Sequence, residues 1–74
     1  QEVVELNLRA MRELLGKTQV QTARAAKMTQ GEVSRAESRE DHLLSTLRRY
    51  VKALGGDVEV VALFGDKRIR LRGV

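Results

Sequence analysis

The chain has 74 residues with no Cys, no Pro, one Tyr and one Phe, material for one small domain, because two units of half this size could not each close a core. Without Cys there is no disulfide, and His42 as the sole His cannot supply a structural zinc site, so self-association is the remaining support for so small a fold. Lys and Arg number 14 against 10 Asp and Glu, a net charge of +4, which favours a polyanionic partner.

Between Val3 and Leu15 the apolar residues Val4, Leu8, Met11 and Leu15 recur at helical spacing, which predicts a first helix over 3–15 stopped by Gly16. Thr18 is a cap residue for a second helix over 18–26, with Val20, Ala23 and Ala26 facing inward. Lys27, Met28 and Thr29 make a turn, and Thr29 caps a third helix over 30–38 whose apolar edge is only Val33 and Ala36. Asp41 is the expected cap of a fourth helix over 42–54, where Leu43, Leu44, Leu47, Tyr50, Val51 and Leu54 form a broad apolar face ending at Gly55 and Gly56.

After that Gly pair the period changes to two. Val58, Val60, Ala62 and Phe64 alternate with Glu59, Val61 and Leu63; Gly65 and Asp66 signal a turn; Ile69 and Leu71 alternate with Arg68, Arg70 and Arg72. This predicts a β-hairpin over 57–72 whose first strand is apolar on both faces. The expected fold class is α+β, mainly α: four helices and a C-terminal hairpin in a single domain over 1–74.

Charge is not spread evenly over these elements. Between Lys17 and Arg39, the basic residues Lys17, Arg24, Lys27, Arg35 and Arg39 meet only Glu32 and Glu37, so most of the net charge lies in the segment that holds the second and third helices. Two short helices joined by a tight turn, the second polar outward on a basic surface, are the requirement of a helix-turn-helix over 18–38 that enters a DNA major groove. Thr18, Gln19, Ala23, Met28, Thr29, Gln30, Val33, Ser34, Arg35 and Glu37 closely resemble the motif of the Xre/Cro-type phage repressor family. That resemblance implies a lambda-repressor-like helix-turn-helix fold. Lys27 stands where the family commonly has Gly, and Thr22, Ala26 and Ala36 stand where larger aliphatics are usual, so a rearranged turn and a thin core supported by helix 4 and the hairpin are expected.

In such an arrangement Gln30 can bond an adenine edge in bidentate fashion and Arg35 a guanine or a phosphate, with Glu32 and Ser34 as further base-reading candidates. Lys17, Thr18, Gln19, Thr29, Ser38 and Arg39 are the candidates for positioning phosphates. The family resemblance adds that Gln19 braces Gln30, and that Arg12 and Glu37 form an ion pair tying helix 1 to helix 3. From Arg35 to Phe64 the chain also looks like small Xre-type regulators, some encoded beside RelE/HigB-like toxins and acting as their antitoxins.

Plainer roles stand beside these. His42 reads as a surface residue, Tyr50 and Phe64 as core, Met28 as turn packing, and Ser34 has no flanking signature of a nucleophile. The Lys67 to Arg72 run fits either a solvated edge that discourages strand aggregation or a second DNA contact. The expected function is a sequence-specific double-stranded DNA-binding regulator, non-enzymatic and without cofactor or metal. The alternative is an antitoxin that neutralises a RelE/HigB-like toxin and autoregulates its operon. A strand apolar on two faces exposes more than a monomer covers, so a homodimer is expected through Val61, Leu63, Ile69 and Leu71. The absence of a secretory leader or a run of about twenty apolar residues reads as a cytoplasmic chain with no membrane partner.

Overall fold

The computed structural model describes residues 5–74. In chain order it contains α1 (Leu8–Leu14), α2 (Gln19–Ala26), α3 (Gln30–Ser38), α4 (Leu44–Ala53), β1 (Val60–Phe64) and β2 (Lys67–Leu71). Among the described residues no helix is long and apolar enough to cross a membrane.

Side-chain caps mark the starts of α1, α2 and α3. α1 begins after Asn7, whose Oδ1 accepts from the Ala10 amide at 2.8 Å, so among the described residues it is shorter than the 3–15 span expected; Val3 and Val4 lie outside the described residues. Gly16 follows α1 at φ +72. Thr18 and Gln21 form a reciprocal capping box at α2, and Thr29 and Glu32 form another at α3, each satisfying free amides that a helix start would otherwise leave unpaired. α4 departs from expectation: its N-cap is Leu43, with no side-chain cap. Asp41 lies two residues too early to serve, and Leu43 is exposed rather than part of the inward face.

The core is small and lies where α2 meets α3 and α4. Val33 and Tyr50 are fully buried with Thr22, and Ala23, Ala26 and Ala36 are nearly so. Leu8, Met11, Met28 and Leu54 close around them. Alanines at these positions let helix axes approach closely, so one ring, that of Tyr50, fills space that several aliphatics would otherwise occupy. The buried Thr22 hydroxyl donates to the Thr18 carbonyl at 2.9 Å, which removes the cost of burying it.

The hairpin is antiparallel, pairing Val60 with Leu71, Val61 with Arg70, Ala62 with Ile69, Leu63 with Arg68 and Phe64 with Lys67, across a turn at Gly65 (φ +61). Paired residues share a face. One face therefore carries Val60, Ala62, Phe64, Ile69 and Leu71 with Lys67 at its turn end, and the other carries Val61 and Leu63 beside Arg70 and Arg68. The expected dimer set of Val61, Leu63, Ile69 and Leu71 is thus split between two faces and cannot form one patch. Phe64, expected in the core, is 65% exposed, and no strand residue is buried. The hairpin extends away from the helices and does not support the helical core.

Candidate functional site

α3 is held by its inner edge and free along its outer one. Val33 and Ala36 are buried, while Gln30, Gly31, Ser34, Arg35 and Ser38 are exposed. The Thr29 Oγ1 accepts from the Glu32 amide at 3.0 Å, and the Thr29 side chain also favours the ionised Glu32 carboxyl. The Thr18 Oγ1 accepts from the Gln21 amide at 3.1 Å, which leaves its hydroxyl proton unspent. The Thr18 hydroxyl can donate to an oxyanion without disturbing its helix, beside the partial positive charge of a helix start, whereas that of Thr29 is shared with Glu32. Lys17 and Arg39 are exposed on either side of the two-helix unit.

Ser38 and Glu32 are placed differently from the other candidates. The Ser38 hydroxyl donates back to the carbonyls of Ser34 and Arg35, at 3.2 and 3.1 Å, so its single proton closes the end of α3. Glu32 Oε1 accepts from the Thr29 amide at 3.0 Å. That backbone hydrogen bond, aided by the Thr29 side chain and by nearby Arg49 and Arg35, holds the Glu32 carboxyl below the usual range. One oxygen of Glu32 therefore belongs to the cap. Arg35 folds back toward the start of α3, where Gly31 leaves it room: a Cβ at position 31 would stand 3.3 Å from Arg35 Nη1. An open cleft between α3 and α4 is lined by Glu32, Arg35, Arg39, Asp41, His42 and Arg49, three guanidiniums against two carboxylates. The His42 ring meets the Ala36 carbonyl through Nε2.

Behind this surface lies a polar hub. Glu37 at the end of α3 accepts from Arg12 Nε at 2.6 Å and Nη2 at 3.2 Å, from Gln19 Nε2 at 3.1 Å and from the Tyr50 hydroxyl at 2.7 Å. Arg12 also donates through Nη1 to the Lys17 carbonyl at 2.8 Å. The hub joins α1, α2, α3 and α4 through side chains that are largely closed to solvent, Arg12 at 8% and Glu37 at 4%. Burial alone would push the Glu37 carboxyl up, but the donors Arg12, Tyr50 and Gln19 together outweigh it and hold it down. Gln19 spends an amide proton here, joining the hub from the start of α2.

Several of these positions were not singled out from the sequence. Gln21 completes a Thr-x-x-Gln capping box, a signal present in the string Thr18 to Gln21. The Tyr50 hydroxyl and Arg49 act across 13 and 22 or more residues of chain, and no local pattern marks such partners. Among the described residues no group of three or more His, Asp or Glu is placed to hold a metal ion.

Residues 6–64 match the family model of a helix-turn-helix domain. The antitoxin assignment HigA2 of Mycobacterium tuberculosis is 38% identical over 72 residues, covering 95% of this chain and 71% of that protein. HigA3 of the same organism, also assigned as an antitoxin, is 40% identical over 52 residues, covering 70% of this chain and 42% of its own length. Among solved structures, a HigA antitoxin described for DNA bending induced by its dimerization superposes with a TM-score of 0.85 at 34% identity, covering 99% of this chain and all of that one. DNA-bound antitoxin HigA3 superposes with a TM-score of 0.86 at 35% identity, covering 97% and 96%. A family match across most of the chain, and relatives of this identity and coverage, place the protein in the Xre-type helix-turn-helix family, with HigA antitoxins among its homologues.

Proposed function

We propose that the protein is a dimeric, sequence-specific binder of double-stranded DNA that regulates transcription, with α3 lying in the major groove. The observation that carries this reading is the outer edge of α3, where Gln30, Ser34 and Arg35 are exposed on a helix locked by a capping box and by the Glu37 hub. A superposition with DNA-bound HigA3 supports it. Gln30 and Arg35 read base edges, with Ser34 beside them. Lys17, Thr18, Thr29 and Arg39 hold phosphates, and Glu32, Gln19 and Ser38 serve the scaffold that presents them. No step makes or breaks a covalent bond, so the role is non-enzymatic.

The dimer forms through the hairpin face carrying Phe64, Ile69 and Leu71, which are exposed, with Lys67 at the turn end of the same face. Two recognition helices then enter successive major grooves about 34 Å apart, and the operator is an imperfect palindrome. Selection from a random duplex pool tests this: an enriched two-fold-related site is expected, and no enrichment would refute the reading. On the selected site Arg35→Ala costs about 1–3 kcal/mol and relaxes one base position, whereas Lys17→Ala weakens all sequences alike and lowers the salt slope by about one. Unchanged preference in Arg35→Ala would remove α3 from the groove.

Antitoxin activity is a second reading, favoured by the 38% identity to HigA2 along 95% of the chain. On it, DNA binding is autoregulation and the protein also holds a toxin. Co-expression with a toxin-sized neighbouring reading frame should relieve growth arrest and yield a stable complex; failure of both leaves the DNA-binding role alone.

A further inference from the structure

Lys27 is the one non-glycine among the described residues with a positive φ, at φ 56 and ψ 45. It stands at the turn between α2 and α3, where the Met28 amide reaches back to the Ala23 carbonyl at 2.9 Å, the closure that usually has Gly in the left-handed position. A residue with a Cβ holds that conformation only when its surroundings impose it. One side chain grips this turn. Arg49, on α4, donates from Nη2 to the carbonyls of Ala26 and Lys27 at 3.1 and 2.8 Å.

We infer that Arg49 is a positioning residue for DNA recognition: its guanidinium clamps the two carbonyls of the left-handed turn and thereby sets the angle at which α3 is presented. The inference rests on the reading that α3 enters the groove, and it gives α4 a part in recognition without a base contact of its own. Three observations converge on it. The carbonyls at the end of α2 carry partial negative charge that a cation relieves. Both protons of Arg49 Nη2 are spent on the turn. The same side chain also lines the α3–α4 cleft with Glu32 and Arg35, so the turn, the start of α3 and α4 share one anchoring group. A Gly at position 27 would hold the turn unaided, which makes the need for Arg49 conditional on Lys27.

That condition supplies the test, a double-mutant cycle on the full chain bound to its selected operator, at a temperature where every variant is folded by circular dichroism. Arg49→Met should weaken binding about tenfold with the salt slope unchanged, and should cost less than about threefold when made together with Lys27→Gly. The charge of Lys27 cancels in this comparison. If Arg49→Met lowers the salt slope by about one and Lys27→Gly gives no relief, Arg49 is a phosphate contact and the clamp is refuted. If Arg49→Met lowers the melting temperature but leaves operator affinity intact, the residue only stabilises the fold and the inference also fails. Should Arg49→Met not fold, Arg49→Lys keeps the charge on a shorter arm: weaker binding relieved by Lys27→Gly supports the clamp, and wild-type binding overturns it. Failure of the unmodified chain to bind any selected duplex refutes the DNA-binding reading instead, so the two failures are distinguishable.

Discussion

The helical body closes a core and the hairpin does not. The body buries small residues, Ala23, Ala26 and Ala36, around Val33 and Tyr50, and ties four helices together through one carboxylate. The hairpin has larger side chains, Leu63, Phe64, Ile69 and Leu71, and leaves them exposed. Size of the apolar residue does not decide burial here; what lies opposite does. α2 packs against both α3 and α4, whereas two strands alone have nothing to bury against. The body consequently closes a core of its own, although Leu14, Leu15, Val20 and Leu43 stay exposed on it, and the hairpin lacks a covering layer, which on the proposed function is the hairpin of a second copy.

The largest expected effect breaks the body and spares the hairpin. Glu37→Ala strands the buried Arg12 guanidinium without its partner and removes the acceptor of Gln19 and Tyr50, so it should cost about 3–5 kcal/mol. Glu37→Gln keeps acceptors for Tyr50 but loses the charge and should cost less. Urea unfolding followed by far-ultraviolet circular dichroism measures both, and a loss below about 1 kcal/mol in Glu37→Ala would mean that the hub is not what joins the helices.

The second effect breaks the hairpin and spares the body. Ile69→Asp places a charge in the middle of the face shared by Ala62, Phe64 and Leu71. It should weaken self-association at least a hundredfold, about 2.7 kcal/mol or more, while the unfolding of the helical body shifts by no more than about 0.5 kcal/mol. Leu63→Asp, on the arginine-bearing face, should do much less to association. Sedimentation equilibrium decides between the faces: equal losses from the two substitutions would show that the register does not select the interface.

What the sequence made legible follows the same division. Helix order, the turn at Lys27 to Thr29 and the hairpin at Gly65 and Asp66 were readable because caps, glycines and periodicity are local. The alternation in Val60 to Leu71 was readable too, but which strand residues share a face was not, since that needs the register across the turn. Two helix starts differ for related reasons: Asn7 outweighs a periodic pattern that continues upstream of it, and α4 begins after Leu43 with no capping side chain, although Asp41 offered one. At the candidate site the residue types of α3 were legible, while the commitments of Glu32, Gln19 and Ser38 to scaffold hydrogen bonds were not. Those commitments depend on atoms brought together by folding. Lys27 is instructive in the other direction: a missing glycine suggested a rearranged turn, and the turn instead keeps its left-handed form with Arg49 behind it.

The smallest effect sharpens the comparison by using pH, because only the body contains the titrating hub. Tyr50→Phe keeps the buried ring and removes the hydroxyl that meets Glu37 at 2.7 Å, so it should cost about 1.5 kcal/mol at neutral pH, the lower end of the range for a hydrogen bond to a charged group. The pH dependence then separates this bond from packing. Glu37 is held below its ordinary value of 4.5, so its contribution is present above that value and disappears as pH falls through the lower folded value. Burial, and then the neighbouring Glu37 carboxylate, push Tyr50 above its ordinary 10.0. Its contribution is present below pH 10 and fades at higher pH, where the unfolded chain ionises and the folded one resists. Tyr50→Phe should therefore flatten the alkaline limb of the stability curve. It should also make the acid limb shallower, because one of the donors that hold Glu37 down is gone. Ile69→Asp, assayed as a monomer, should leave the contributions of Glu37 and Tyr50 to both limbs intact. An acid limb in Tyr50→Phe as steep as that of the unmodified chain would show that Arg12 and Gln19 hold the Glu37 carboxylate without help from Tyr50.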